Sequence, residues 1–219
     1  MSVYVSERFD DLGRADSAPH RLGILGGTFD PIHMGHLSLA EQARVALGLD
    51  GVIFMPAGTP VFKKDREVTS AEDRLAMVRM AVEDNPCFDA SSFEIDRGGD
   101  TYTYDTLRAL RDYFPDNVQL YFITGADAAC TLHLWHRASE MADLATFVGV
   151  SRPGYSIDSV AGEAVRAACG INVTFLSLPG IDVSSSMLRE KVAAGQSVRY
   201  LVPDVVRSYL QLKGLYRKG

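Results

Sequence analysis

Cysteine is scarce in this sequence: three in 219 residues, Cys87, Cys130 and Cys169, far apart and none in a CxxC pair. That spacing excludes a disulfide framework and a zinc ribbon, and predicts reduced thiols in a cytoplasmic protein. No run of about eighteen consecutive apolar residues occurs, which excludes a membrane-spanning helix and a membrane as partner. Basic residues are also in deficit, 22 Lys and Arg against 28 Asp and Glu, for a formal net charge of -6. A chain of that balance has no cationic stripe to displace counterions along a nucleic acid, so none is expected as a partner. A small anionic ligand remains compatible, because a few local cations suffice. Repeats, low-complexity tracts and linkers are missing too. Residues 1–20 lack the apolar centre of a secretion signal and carry charges and turn formers, which predicts a poorly ordered arm ahead of a single domain over 21–219.

What is present is an alternation of apolar runs and helical periodicities. "RLGILG" from Arg21 reads as a strand, and "HLSLAEQARVALGL" as a helix, with Leu37, Ala40, Ala43, Ala46 and Leu47 at helical spacing. A strand is predicted at 51–58, then a helix in "TSAEDRLAMVRMAVEDN", capped by Thr69 or Ser70 with Glu72 or Asp73 three residues on. "CFDASSFEIDR" reads as the next strand. Helix in "TYDTLRALRDYF", strand at 118–125, a short helical stretch in "ADAACTL" and a strand at 145–152 follow. A helix around "SVAGEAVRAACG", a strand "NVTFLSL" and two helices, "SSSMLREKVAAG" and "PDVVRSYLQLKGL", close the chain. Strands marked by continuous apolar runs are those of a sheet covered on both faces. The expected fold is therefore α/β, a Rossmann-like doubly wound parallel sheet with helices on both faces and a helical C-terminus. In such sheets ligands bind beyond the carboxyl ends of the strands, where the winding reverses.

The segment after the first strand, "GGTFDPIHMGH" (26–36), is the chemically unusual one. A tight structural turn, a metal pair and a phosphate cradle compete for it. As metal ligands, His33 and His36 would need a third or fourth partner, and no His, Cys or carboxylate cluster supplies one at recognisable spacing, so no metal site is assigned. The loop matches neither GxxxxGK[ST] nor GxGxxG. It does lead from a strand into a helix N-terminus, where unpaired N–H groups and the helix dipole favour an anion, and Gly26 and Gly27 would let the backbone approach a phosphate. Phosphate contact is the reading these features favour.

"GGTFDPIHMGH" resembles the signature of the nucleotidylyltransferase superfamily. Near the C-terminus "VSSSMLR" (183–189) resembles its second element, with Val183, Ser186 and Leu188 in place of Ile, Thr and Ile. Ser184, Ser185 and Ser186 open a helix, and Arg189 lies one turn on as a planar charged donor. Within the superfamily, residues 21–215 resemble the bacterial nicotinate-nucleotide adenylyltransferases, through "GGTFDPIHMGHL", "PAGTPVFK", "RLAMVRMA", "TYTYDTL", "ITGADAACTLHLWH", "SRPGY" and "VSSSMLR". One departure is Phe62, where the family commonly carries a histidine; Lys63 beside it is retained.

The resemblance implies transfer of AMP from ATP to nicotinate mononucleotide. It implies that His33, His36 and Arg189 carry catalysis, and that Gly26, Gly27, Thr28, Phe29, Ser184, Ser185 and Ser186 join them around ATP. Mg²⁺ is expected as the companion of ATP. Around the mononucleotide it implies Trp135 stacked on the pyridine ring, backbone contacts at Tyr102 and Thr103, Asp127 on ribose hydroxyls, and Lys63 and Arg152 as phosphate or carboxylate partners. The same chemistry on nicotinamide mononucleotide or phosphopantetheine, and a nucleotide-binding sensor without catalysis, are the alternatives. A homo-oligomer is left open.

Overall fold

A computed structural model of the protein describes residues 5–59, 68–151 and 159–217, with backbone only at 159–161. Six strands form one sheet: β1 (His20–Gly27), β2 (Gly51–Pro56), β3 (Phe88–Ala90), β4 (Val118–Gly125), β5 (Thr146–Ser151) and β6 (Val173–Ser177). Their order is β3-β2-β1-β4-β5-β6 and every pairing is parallel. The helices are α1 (Met34–Leu47), α2 (Ala71–Val82), α3 (Phe93–Arg97), α4 (Thr103–Tyr113), α5 (Ala126–Ala129), α6 (Ser159–Cys169), α7 (Ser185–Ala193) and α8 (Asp204–Lys213). The doubly wound α/β fold expected from the alternation is the one observed.

Side chains along each strand alternate between two cores, as the pleat requires. Val52 and Phe54 of β2 enter the core under α1, α2, α7 and α8, while Ile53 and Met55 enter the one with Leu107, Leu110 and Val165 of α4 and α6. α2 starts where Ser70 accepts the Asp73 N–H at 3.1 Å, with Glu72 and Asp73 in the first turn to complement the dipole.

Winding reverses between β1 and β4, and there the sheet opens. The β1–β4 pairing stops at Leu25↔Ile123. Each strand then runs on for two more residues with its outer neighbour, Gly26 and Gly27 beside Met55 and Pro56, and Thr124 and Gly125 beside Gly149 and Val150. The parted strand ends leave a crevice at the carboxyl edge.

Two expectations need correction. The arm is not loose over its described part: Val5, Ser6 and Phe9 are buried, and the Asp89 carboxylate accepts from Ser6 Oγ at 2.5 Å and from the backbone of Glu7 and Arg8. The Arg8 guanidinium donates to the carbonyls of Glu83 and Phe88, and the Asn117 amide to those of Gly13, Asp16 and Ala18. These polar ties follow from remote carbonyls, so local composition could not announce them. "CFDASSFEIDR" is also not one strand. It pairs for three residues only and turns at Ser91 and Ser92 into α3, where Ser91 Oγ accepts the Phe93 N–H and Ser92 Oγ donates to Asp96.

Candidate active site

The segment after β1 is built around its histidines. His33 is the residue before α1, extended at φ -150°, and His36 is in the first turn. Their rings stack with centroids 3.6 Å apart and 19° between planes. The His33 N–H donates to His36 Nδ1 at 3.3 Å, so the ring proton of neutral His36 sits on Nε2. Close stacking needs Gly35, because a Cβ there would lie 3.1 Å from His33 Nδ1. Phe29, at φ +50° and buried, sets its ring edge-on to His36 at 5.0 Å. That ring also explains Gly27, whose Cβ would fall 2.9 Å from it, a steric reason beside the one expected from phosphate approach.

The second motif meets the first across the crevice. Ser185 Oγ donates to the Pro31 carbonyl at 2.9 Å, and Arg189 Nη1 to the Asp30 carbonyl at 2.7 Å. Arg189 Nη2 donates to Ser186 Oγ at 3.0 Å, and Ser184 Oγ accepts the Met187 N–H at 3.2 Å, starting α7. Ser184 and Ser186 act as acceptors in these bonds, which leaves their O–H groups to turn toward a ligand; Ser185 spends its donor on Pro31.

A cleft of about 1190 Å³ runs between them, lined by His33, Gly35 and His36, the β4 exit with Asp127, Ser151, the loop from Leu178, Ser184 to Ser186, and Arg189. It is large enough for a nucleotide. Gly26 and Gly27, which close β1, and Thr28 and Phe29 are not among the residues that line it; Phe29 packs on His36 and the Thr28 carbonyl accepts from Arg74. Tyr102, Thr103 and Trp135 do not line this cleft. Tyr102 precedes α4, which Thr103 begins, and its ring packs on His136 at 4.5 Å. Trp135 is half-buried, edge-to-face with Phe122 at 6.0 Å against the second core. Lys63, Arg152 and the Phe62 departure lie outside the described residues. Among the described residues no group of three or more His, Cys, Asp or Glu is placed to hold a metal ion.

Two residues were missed from sequence. His136 is one, carried only by its place in "LHLWH". Arg74 is the other: 1% exposed, it donates to the carbonyls of Thr28 (3.0 Å), Ala57 (2.7 Å), Gly58 (2.9 Å) and Thr69 (3.0 Å). It ties the loops after β1 and β2 together. Burial draws its pKa down, opposed by Asp30. The signal was available, since Arg74 shares a helical stripe with Met77, Val78 and Ala81, all buried.

Glu94 is buried below the start of α4 and accepts from Thr106 Oγ1 at 2.6 Å. Burial, only partly offset by Thr106 and Arg97, pushes its pKa up to about 7. An acid with a folded pKa raised above its unfolded one stabilises most at low pH, and this contribution is lost as pH rises through the folded value. Stability should thus fall between about pH 4.5 and 7, by roughly 3 kcal/mol from this group, and level off above that. In Glu94→Gln that part of the fall should vanish from melts recorded across the range; an unchanged slope would contradict it.

The sequence model of the cytidylyltransferase-like family matches residues 24–191. A curated relative from Corynebacterium kroppenstedtii, "Probable nicotinate-nucleotide adenylyltransferase", is 46% identical over 90% of each chain. One of the same name from Roseiflexus is 47% identical over 92% of this chain and 99% of its own. The chain belongs to the nicotinate-nucleotide adenylyltransferase family. Its fold matches that of the Plasmodium falciparum nicotinic acid mononucleotide adenylyltransferase complexed with NaAD, with a TM-score of 0.70 over 90% of this chain and 97% of that one at 18% identity. As in the family signature, the histidine loop and the serine–arginine segment come from opposite ends of the chain.

Proposed function

We infer that the protein transfers AMP from ATP to the phosphate of nicotinate mononucleotide, giving nicotinate adenine dinucleotide and pyrophosphate, in NAD biosynthesis. The observation that carries this reading is the meeting of the stacked His33–His36 pair and the Ser184–Arg189 segment on one nucleotide-sized cleft at the switch point.

The chemistry asks for little beyond what these residues supply. The nucleophile is a phosphate monoester oxygen, already ionised at neutral pH. It forms a bond to the α-phosphorus of ATP as the bond to the bridging oxygen breaks, and pyrophosphate departs with the electron pair. No proton need be removed, so positioning and charge stabilisation dominate. His33 and His36 meet the charge on the α-phosphate, beside the positive end of α1. Thr28 helps place that phosphate, and Gly26, Gly27 and Phe29 shape the turn. Arg189, with the hydroxyls of Ser184 and Ser186 and the backbone N–H of Ser185, whose own hydroxyl is bonded to Pro31, holds the β and γ groups. A divalent ion such as Mg²⁺, bound to ATP, would supply neutralisation of phosphate charge beside Arg189 and the serines.

Asp127, on the cleft wall, is suited to ribose hydroxyls of the mononucleotide. The backbone at Tyr102 and Thr103 meets the nicotinate carboxylate. Trp135, with His136 beside it, offers a face for the pyridine, and Lys63 and Arg152 add positive charge for its anionic groups. A cytoplasmic setting fits this metabolism, and no helix among the described residues is long and apolar enough to cross a membrane.

Pyrophosphate release measured with nicotinate mononucleotide, nicotinamide mononucleotide and phosphopantetheine tests the reading. The nicotinate substrate should give the highest kcat/KM. A higher value with either other acceptor would move the specificity, and no release with any of the three would favour the nucleotide sensor.

A further inference from the structure

The segment that follows α8 reaches the loop that holds His33. After α8 the chain turns at Tyr216, φ +63°, and the Tyr216 hydroxyl donates to Asp30 Oδ1 at 2.6 Å. Asp30 is 1% exposed, and its Oδ2 is buried with no hydrogen-bond partner among the described residues. Two guanidinium groups face it. Arg74 interacts with it electrostatically, while four of its five N–H donors go to carbonyls. Arg189 Nη1 lies 3.9 Å from Oδ2, beyond hydrogen-bond distance, while donating to the main-chain carbonyl of the same residue at 2.7 Å.

The carboxylate therefore competes with any ligand for Arg189. With Tyr216 bonded to one oxygen, the balance leaves Arg189 on the Asp30 carbonyl and Ser186, at the cleft wall. Without that hydroxyl, a dry carboxylate would have no neutral donor from the described residues. Arg189 would then need to move only about 1 Å to form a direct pair with it.

We propose that Tyr216 is a positioning residue for ATP: its hydroxyl holds the Asp30 carboxylate so that Arg189 stays available to the phosphates instead of closing its 3.9 Å ion pair with that carboxylate into a direct hydrogen bond. Tyr216 does not touch the cleft; it acts through Asp30. The proposal rests on the assignment of Arg189 to ATP made above.

The test is binding of a non-transferable ATP analogue, with a methylene bridge between the α- and β-phosphorus atoms, followed by titration calorimetry with the full chain and no acceptor. Tyr216→Phe should raise Kd by about tenfold, the scale of one lost charge-assisted hydrogen bond. Adding Asp30→Asn removes the competing charge and should bring Kd back to within about threefold of the wild type. In an Arg189→Ala background, Tyr216→Phe should change Kd by less than about twofold. Wild-type binding to Tyr216→Phe, with or without a lower melting temperature, overturns the proposal, as does a tenfold loss that persists in Arg189→Ala or survives Asp30→Asn. If the wild-type chain itself does not bind the analogue, it is the adenylyltransferase reading that fails.

Discussion

Replacement of His36 or His33 by alanine is expected to lower kcat by about 10² or more while the melting temperature moves little. The two rings stack at the exit of β1 and line the cleft where the α-phosphate would sit. A donor preorganised toward developing charge in a partly water-excluded site is typically worth about 10²–10³ in rate. His36 has its Nδ1 engaged by the His33 N–H, so its ring is held in place before substrate arrives. The stack also makes the two positions interdependent: loss of either ring removes a face against which the other rests. The double variant should therefore fall well short of the product of the single losses. Steady-state kinetics with saturating ATP, alongside thermal melts, checks this. A kcat within about threefold of the wild type in both single variants would remove the histidines from the chemistry.

The second large effect concerns stability. Arg74→Met should cost about 3–5 kcal/mol, because it removes the donor to four carbonyls, at Thr28, Ala57, Gly58 and Thr69, in a place water does not reach. For a chain of this size the melting temperature should drop by roughly 10 °C. Arg74→Lys keeps the charge but lacks the planar fork, and should recover only part of the loss. Since Thr28 follows β1 and Gly58 follows β2, the KM values for both substrates should rise in Arg74→Lys even where it is fully folded. Melts within about 2 °C of the wild type for Arg74→Met would contradict the clamp.

The fold was legible because its strands are apolar throughout: "GVIFMP" is buried at all six positions, which is what a central parallel strand demands. The two motifs that meet at the cleft were legible because each is contiguous and sits at an element boundary. Less readable were features set by distant backbone. The arm is held by Asp89 and by the carbonyls at the end of α2, and Arg74 is buried only because four carbonyls from separate segments converge on it. The Tyr216–Asp30 contact joins residues 186 apart, and neither residue type signals it. The short β3 was read too long because Phe88 and Ala90, then Phe93 and Ile95, each alternate, while the two serines between them shift the phase and their hydroxyls bond to α3 instead.

The most direct test of the central claim follows the α-phosphorus. The protein is incubated with Mg²⁺, nicotinate mononucleotide and ATP labelled at the α-position, and the products are separated. All transferred label should appear in nicotinate adenine dinucleotide, with an equal amount of unlabelled pyrophosphate and no turnover of ATP when the mononucleotide is omitted. Label released as free AMP at the same rate with or without the mononucleotide, or ATP left intact in its presence, would contradict the account.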